Sequence, residues 1–277
     1  MDRWQSWTDH DASRHIAVPT EHDDKYSRGV LGIIAGSKQY PGAAVLACEA
    51  AMQTGVGMVR YFGPRDARKL VLQYRPEVVT RSGKVQAWVI GPGIESRKID
   101  WQRREKITEA LESKAPIILD AGGISLLNRA KGPTLITPHY GELSALLLSR
   151  GITVSRADIE REPRNWAVRT VEEFGVTILL KGNLSIVASE NSRIELPAST
   201  PWLATAGTGD VLAGIIGALV ATHADVLVKQ PELLAEIAAT ASLLHTLAAR
   251  SASAGGPITA LKVADAIPQA VLGLISK

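Results

Sequence analysis

Five short apolar runs, each stopped by glycine or proline, limit the folds open to this chain. They are VLGIIAG (30–36), AWVIGPG (87–93), PIILDAGG (116–123), TLITPHYGE (134–142) and VTILLKG (176–182). Continuous apolar runs of this length, without polar alternation, suit strands covered on both faces. Helical patterns follow them, and strands alternating with helices imply a mostly parallel sheet with right-handed crossovers. VGMVRYFG (56–63) reads as another strand, and LSIVAS (184–189) as a partner for 176–182. Helices are expected after Pro41-Gly42, from Asp210 onward, and over about 232–250 and 259–266. The fold class is therefore α/β. Without repeats or a low-complexity linker, residues 1–277 read as one continuous domain.

Ligands of such sheets gather beyond the carboxyl ends of the strands. The polar and glycine-rich punctuation falls there: Gly36-Ser37, Gly91-Pro92-Gly93, Asp120-Ala121-Gly122, Thr137-Pro138-His139 and Lys181-Gly182-Asn183. Asp120 itself reads as a turn or cap residue. Composition narrows the function. Basic and acidic residues number 31 and 28, for a net charge of +3, and are dispersed. Arg103-Arg104 and Arg161/Arg164 read as solvated helix faces, so nucleic acid is not an expected partner. The single cysteine, Cys48, excludes an internal disulfide and a multi-cysteine metal site, and reads as a buried helix residue. The polar start MDRWQSWTDHDASRH is no signal peptide, and the longest apolar run, 211–221, is too short to span a bilayer. No membrane association and a cytoplasmic location are expected.

Common nucleotide motifs fail. LGIIAGSK has Leu31 where a phosphate loop needs its first glycine, and Lys38 follows Ser37 rather than preceding it. Gly207 and Gly209 would open a dinucleotide fingerprint only if residue 212 were glycine or alanine, and it is Leu212. Zinc spacings are absent.

The informative stretch is TAGTGDVLAGIIGALVA (205–221). Two glycines let the backbone turn and approach a ligand closely. Amides opening the following helix form an anion hole favoured by the helix dipole. A carboxylate beside it, Asp210, can take a proton from a hydroxyl attacking phosphorus while the amides stabilise the transferred phosphoryl group. Taken alone, the tetrapeptide GTGD reads equally as a helix cap.

The chain resembles the ribokinase-like superfamily through that GTGD segment, and within it the NAD(P)H-hydrate dehydratases. The resemblance rests on five elements in the family's order: KYSRGVLGIIAGSKQYPGAAVLACEAAMQTGVGMV, VIGPGI, ILDAGGISLL, LITPHYGEL with LLKGNLSIV, and TPWLATAGTGDVLAG. They cover about residues 25–221. The resemblance implies a three-layer αβα sandwich around a mostly parallel sheet. It implies repair of NADHX and NADPHX, the hydrated nicotinamide cofactors, at the expense of a nucleoside diphosphate or triphosphate. The ring hydroxyl is phosphorylated, phosphate then leaves, and a kinase site yields net dehydration.

Residue roles follow from the same resemblance. Asp210 is the base and touches the substrate. Lys181, Gly182, Asn183, Leu184 and Ser185 bind the adenine nucleotide, with Gly207, Thr208 and Gly209 meeting its phosphates. His139 contacts the substrate; without the motif it would read as a structural donor. Ala43 and Gly93 give the hydrated dinucleotide clearance. Glu142 organises Mg²⁺ through water, although it reads equally as a first-turn helix acid. Trp202 is expected in the core. Departures from the family pattern are Ala206 for glycine, Tyr140 for proline, and ELPASTPWLATA (195–206), which lacks the usual asparagine. The resemblance also implies a homotetramer, whose interface or else the core would take the apolar face near Leu233 and Leu247. No N-terminal epimerase domain is evident, so a separate epimerase is the expected functional partner, and ADP the expected phosphoryl donor over ATP. The rival reading is a ribokinase-like kinase of a hydroxymethylpyrimidine, thiazole alcohol or pyridoxal compound. A second rival is a non-catalytic nucleotide-binding protein of this fold.

Overall fold

A computed structural model describes residues 3–95 and 101–276. The chain runs β1 (Gln5–Ser6), α1 (Asp9–Ser13), β2 (Val30–Ile34), α2 (Gly42–Thr54), β3 (Met58–Tyr61), α3 (Arg65–Tyr74), β4 (Ala87–Ile90), α4 (Trp101–Glu112), β5 (Ile117–Leu119) and β6 (Thr134–Ile136). It continues α5 (Tyr140–Leu148), α6 (Arg156–Arg161), α7 (Pro163–Phe174), β7 (Thr177–Leu180), β8 (Ile186–Ala188), β9 (Arg193–Glu195), α8 (Thr208–Thr222), α9 (Ala224–Leu227), α10 (Leu234–Ser253), α11 (Ala260–Asp265) and α12 (Ile267–Ile275). The sheet has the order β1-β9-β8-β7-β6-β5-β4-β2-β3. Only β8 runs against the rest, paired antiparallel with β7 and β9.

Side-chain alternation divides the strands between two cores. Ala87 and Val89 of β4 join one cluster, with Leu31, Ile33, Leu179 and the buried faces of α2, α8 and α10. Trp88 and Ile90 join the other, with Ile34, Ile178, Leu180 and residues of α4, α5 and α7. Both strand faces are apolar because both are covered, as the unbroken runs require. The result is the expected three-layer α/β architecture.

Several elements differ from expectation. The helix expected after β5 is present as a 3-10 helix, Ala121–Arg129. The expected helix near 259–266 is α11, and a further helix not foreseen, α12, follows it with Pro268 at its second position. Strands β1 and β9 are two and three residues long, below what a periodic pattern can signal. Trp202 is 46% exposed and donates its Nε1–H to the Gly255 carbonyl (3.2 Å), so it is not a core residue. Arg103 is no freely solvated arm; its guanidinium donates to the Gly36 carbonyl at 3.2 Å. Leu233 and Leu247 are half-buried and pack against the core, whereas Leu234, Ile237, Ala238, Ala241 and Leu244 of α10 are fully buried in it. Pro231–Ser253 is long and apolar enough to cross a bilayer by length and composition, but most of it lies buried in the fold. Cys48 is buried as expected.

Helix α8 reaches the sheet through small residues. A Cβ placed on Gly214 would lie 2.3 Å from the Ala47 carbonyl oxygen and 2.9 Å from Ala50 Cβ. That oxygen belongs to the backbone of α2 and cannot rotate away, so the helices must separate for a methyl to fit. Gly214→Ala is therefore expected to destabilise the protein by about 1–3 kcal/mol, outweighing the ~1 kcal/mol that alanine contributes in a helix. Gly273 of α12 has nothing within 4 Å of its added Cβ. Gly273→Ala should be neutral or stabilising by up to ~1 kcal/mol, with urea denaturation of both variants as the check.

Candidate active site

Three adjacent parallel strands end in polar residues. Asp120 follows β5, Thr137 follows β6 and Lys181 follows β7. The Asp120 carboxylate is buried and accepts from Lys181 Nζ and from Thr137 Oγ1, each at 2.7 Å. Lys181 is held from its backbone as well, donating N–H to the Pro138 carbonyl at 2.8 Å. Its ammonium lies 4.0 Å from Glu142 Oε2. Burial alone would lower the Lys181 pKa, but Asp120, Glu142 and Asp210 outweigh it and hold the ammonium above its usual range. Asp120 thus has a larger role than the turn or cap read from sequence. It makes no side-chain cap bond at the 3-10 helix it precedes.

Helix α8 starts against this pair. Its N-cap, Gly207, has φ 90°, and no side chain caps the first turn. A Cβ on Gly207 would also strike Leu46 Cδ1 at 2.6 Å, so the loop lies against α2. The side of Gly209 on which a Cβ would stand is 3.7 Å from Lys181 Nζ. Thr208 Oγ1 ties the loop by donating toward the carbonyls of Leu203 (2.9 Å) and Thr205 (3.0 Å). Uncapped amides and an ammonium together make a site for anionic oxygens. Asp210 is the third residue of the helix and partly buried. Burial, then the charge of Asp120, push its pKa up to about 7, against a lowering by Lys181. A carboxyl so placed is suited to accept a proton near neutral pH.

A cavity of about 420 Å³ extends from this point. Lys181, Gly182, Asn183 and Ser185 line one side, Thr208 and Gly209 another, and Ser242, His245 and Thr246 of α10 a third. Leu184 is not in its wall and is 42% exposed, so one member of the sequence-predicted segment stands apart. Tyr140, the residue replacing proline, packs over Gly182: a Cβ there would lie 2.0 Å from the phenol oxygen. Burial raises the Tyr140 pKa.

His139 is the N-cap of α5. Its Nδ1 accepts from the amides of Gly141 (3.0 Å) and Glu142 (3.1 Å), while Glu142 Oε2 accepts from the His139 amide (2.9 Å). This reciprocal capping box assigns the neutral ring's proton to Nε2. The ring is 61% exposed, with Nε2 3.6 Å from Glu142 Oε1. The structural role read for a lone histidine is present, and Nε2 is left for a ligand. Glu142 is likewise the first-turn acid, and it also faces Lys181. Ala43 and Gly93 meet at the ends of β2 and β4: Gly93 has φ 64°, and a Cβ on it would lie 2.6 Å from Ala43 Cβ.

His245 was not foreseen. It is 7% exposed, its Nε2 lacks a hydrogen-bond partner, and burial pushes its pKa down to about 4. The one other such buried side-chain atom among the described residues, Ser199 Oγ, belongs to the same cavity wall. The available signal was polar Ser242, His245 and Thr246 clustered within an otherwise apolar helix.

The family model for NAD(P)H-hydrate dehydratase matches residues 31–269. The bifunctional NAD(P)H-hydrate repair enzyme Nnr of Corynebacterium glutamicum is 36% identical across 94% of this chain and 50% of its own length. The chain thus spans about half the length of that relative. The ADP-dependent (S)-NAD(P)H-hydrate dehydratase of Neisseria meningitidis serogroup B is 34% identical over 73% of this chain and 72% of its own. In fold, the chain is similar to the ADP/ATP-dependent NAD(P)H-hydrate dehydratase of Bacillus subtilis co-crystallised with ATP/Mg²⁺. The TM-score is 0.83 at 23% identity, over 99% of this chain and 100% of that one. The match over most of its length shows that this chain belongs to the NAD(P)H-hydrate dehydratase family.

Proposed function

We propose that this protein dehydrates (S)-NADHX and (S)-NADPHX to NADH and NADPH, using ADP or ATP as phosphoryl donor. The observation that carries the reading is Asp210, a carboxyl pushed up to about 7, beside the uncapped start of α8 and the Lys181 ammonium. The nucleotide occupies the 420 Å³ cavity with its terminal phosphate at Gly209 and Lys181. Asp210 takes the proton of the ring hydroxyl, whose oxygen bonds to the terminal phosphorus as the bond to the departing nucleotide breaks. With ADP the departing group is AMP. The lone pair of the ring nitrogen then expels phosphate as the C–O bond breaks, and loss of a proton from the neighbouring carbon restores the ring double bond. Positioning and charge stabilisation account for the protein's share of the work.

His139 Nε2 meets the substrate, and Ala43 and Gly93 leave room for it. Mg²⁺ belongs with this reading, and its chemistry is to neutralise phosphate charge. No group of three His, Cys, Asp or Glu side chains among the described residues is arranged to hold a metal. Glu142 would hold the ion through water. A homotetramer, a cytoplasmic location, a single domain over 1–277, and supply of the S epimer by a separate epimerase belong to the same reading.

Incubation of the protein with NADHX, Mg²⁺ and either ADP or ATP tests it, followed by return of the dihydronicotinamide absorbance. Recovery with ADP and stoichiometric AMP is expected. No recovery with either nucleotide would overturn the assignment in favour of a ribokinase-like small-molecule kinase. Because the base acts ionised, kcat/KM should rise with pH through about 7. Asp210→Asn is expected to lower turnover by at least about a thousandfold while still binding ADP. A carboxyl whose pKa is raised by folding binds its proton more tightly in the native state, so stability falls as pH rises from about 4 to 7. Asp210→Asn removes that loss and should unfold later than wild type at pH 8, by about 2 kcal/mol, but not at pH 4. A variant less stable than wild type at pH 8 would contradict the charged, partly buried carboxylate.

A further inference from the structure

At the carboxyl edge of the sheet, one strand beyond Ala43 and Gly93, lies a second cleft of about 520 Å³. Arg65, Arg68, Arg103 and Lys106 line it together with Phe62 and Ser82, and no carboxylate is among the described residues forming its wall. The cations come from two helices facing across the end of β3. Arg68 donates to the Gly63 carbonyl (3.4 Å), and Arg103 to the Gly36 carbonyl (3.2 Å). Lys106 lies 4.9 Å from the centre of the Phe62 ring and pairs with Glu109. No side chain caps the first turn of α3, which opens at Arg65 beside the cleft. Arg65 and Arg68 stand around one concavity with Arg103 and the Glu109-paired Lys106, and the uncapped start of α3 adds to a positive potential that Asp66 in the same turn partly offsets.

The order of strands says what this potential is for, given the proposed function. The cavity proposed for the nucleotide lies at the end of β7, and Asp120, whose charge acts on Asp210, at the end of β5. Ala43 and Gly93 lie at β2 and β4, and the basic cleft at β3. With its reacting ring at Asp210, the dinucleotide substrate cannot extend toward β7, where the phosphoryl donor lies. Its other half runs over β4 and β2 instead. From β5 to β3 is three strand spacings, about 14 Å. We propose that the Arg65–Arg68–Arg103–Lys106 cleft is a phosphate subsite for the distal half of the hydrated dinucleotide. The group bound is either the bridging diphosphate or the 2′-phosphate that distinguishes NADPHX. Guanidinium forks suit such oxygens.

The proposal rests on the dehydratase reading, and its test separates the two. Steady-state kinetics with NADHX and NADPHX would be measured for Arg65→Ala, Arg68→Ala, the double variant and Arg68→Lys. The double variant is expected to raise KM for the hydrate roughly tenfold or more, with the KM for ADP unchanged and Arg68→Lys intermediate. A rise for NADPHX alone assigns the 2′-phosphate; an equal rise for both hydrates assigns the diphosphate. Hydrate KM values within twofold of wild type for both would overturn the subsite. Calorimetric binding of NADP⁺ and NAD⁺ to wild type and double variant supplies a readout independent of turnover. Weaker NADP⁺ or NAD⁺ binding in the variant supports the cleft even where wild type restores no dihydronicotinamide. Unchanged affinity for both overturns it.

Discussion

The Lys181–Asp120 ion pair sets the electrostatics on which the rest of the site depends. Both charges are largely withdrawn from water, and an ion pair so placed is tolerated only when each partner is held and further satisfied. Asp120 meets that condition through Thr137, and Lys181 through Glu142 and the backbone bond to Pro138. Because Lys181 is committed to Asp120 at 2.7 Å, it does not close directly on Asp210. Asp210 therefore keeps a raised pKa beside a positive charge, where a direct pair would have depressed it. One ammonium can then stand at the start of α8 without pairing directly with the carboxyl alongside.

That arrangement requires α8 to approach the ends of β5–β7 closely, and the helix is built for it. Gly214 lies on the α2 backbone and Gly217 on Val89 and Leu31 of the sheet, leaving no room for a side chain at either position. The turn that precedes the helix uses Gly207 in the left-handed region, against Leu46. Hence the same small-residue pattern serves both the packing of α8 and the open geometry of its first turn. It lowers the helix into place, and its glycine-rich start keeps a Cβ away from the Lys181 ammonium.

The strands and their carboxyl-end punctuation were legible because they are repeated local signals: a buried apolar run, then glycine or proline. The loop that carries Asp210 was legible for the same reason, as GTGD and the helix it opens are contiguous. What escaped is non-local or ambiguous by type. Asp120 is an ordinary turn residue until Lys181, sixty-one positions later, reaches it. His245 hides in an apolar helix, and its missing partner is a property of the cavity, not of any window of sequence. Trp202 misled because residue type favours burial for tryptophan, whereas this ring lies on the surface and is tied to Gly255. Arg103 read as a solvated face because its acceptor, the Gly36 carbonyl, is sixty-seven residues away.

His139 shows why a structural and a functional reading of one residue need not compete. An imidazole offers two nitrogens, and a helix N-terminus needs only an acceptor. Nδ1 supplies that acceptor to two amides, and Glu142 returns the bond to the His139 backbone. This fixes the tautomer and the ring plane, so Nε2–H is presented in a set direction at the strand end next to Lys181. Serine or aspartate would cap α5 as well or better. Neither would leave a donor pointing outward, so capping alone does not account for histidine at this position.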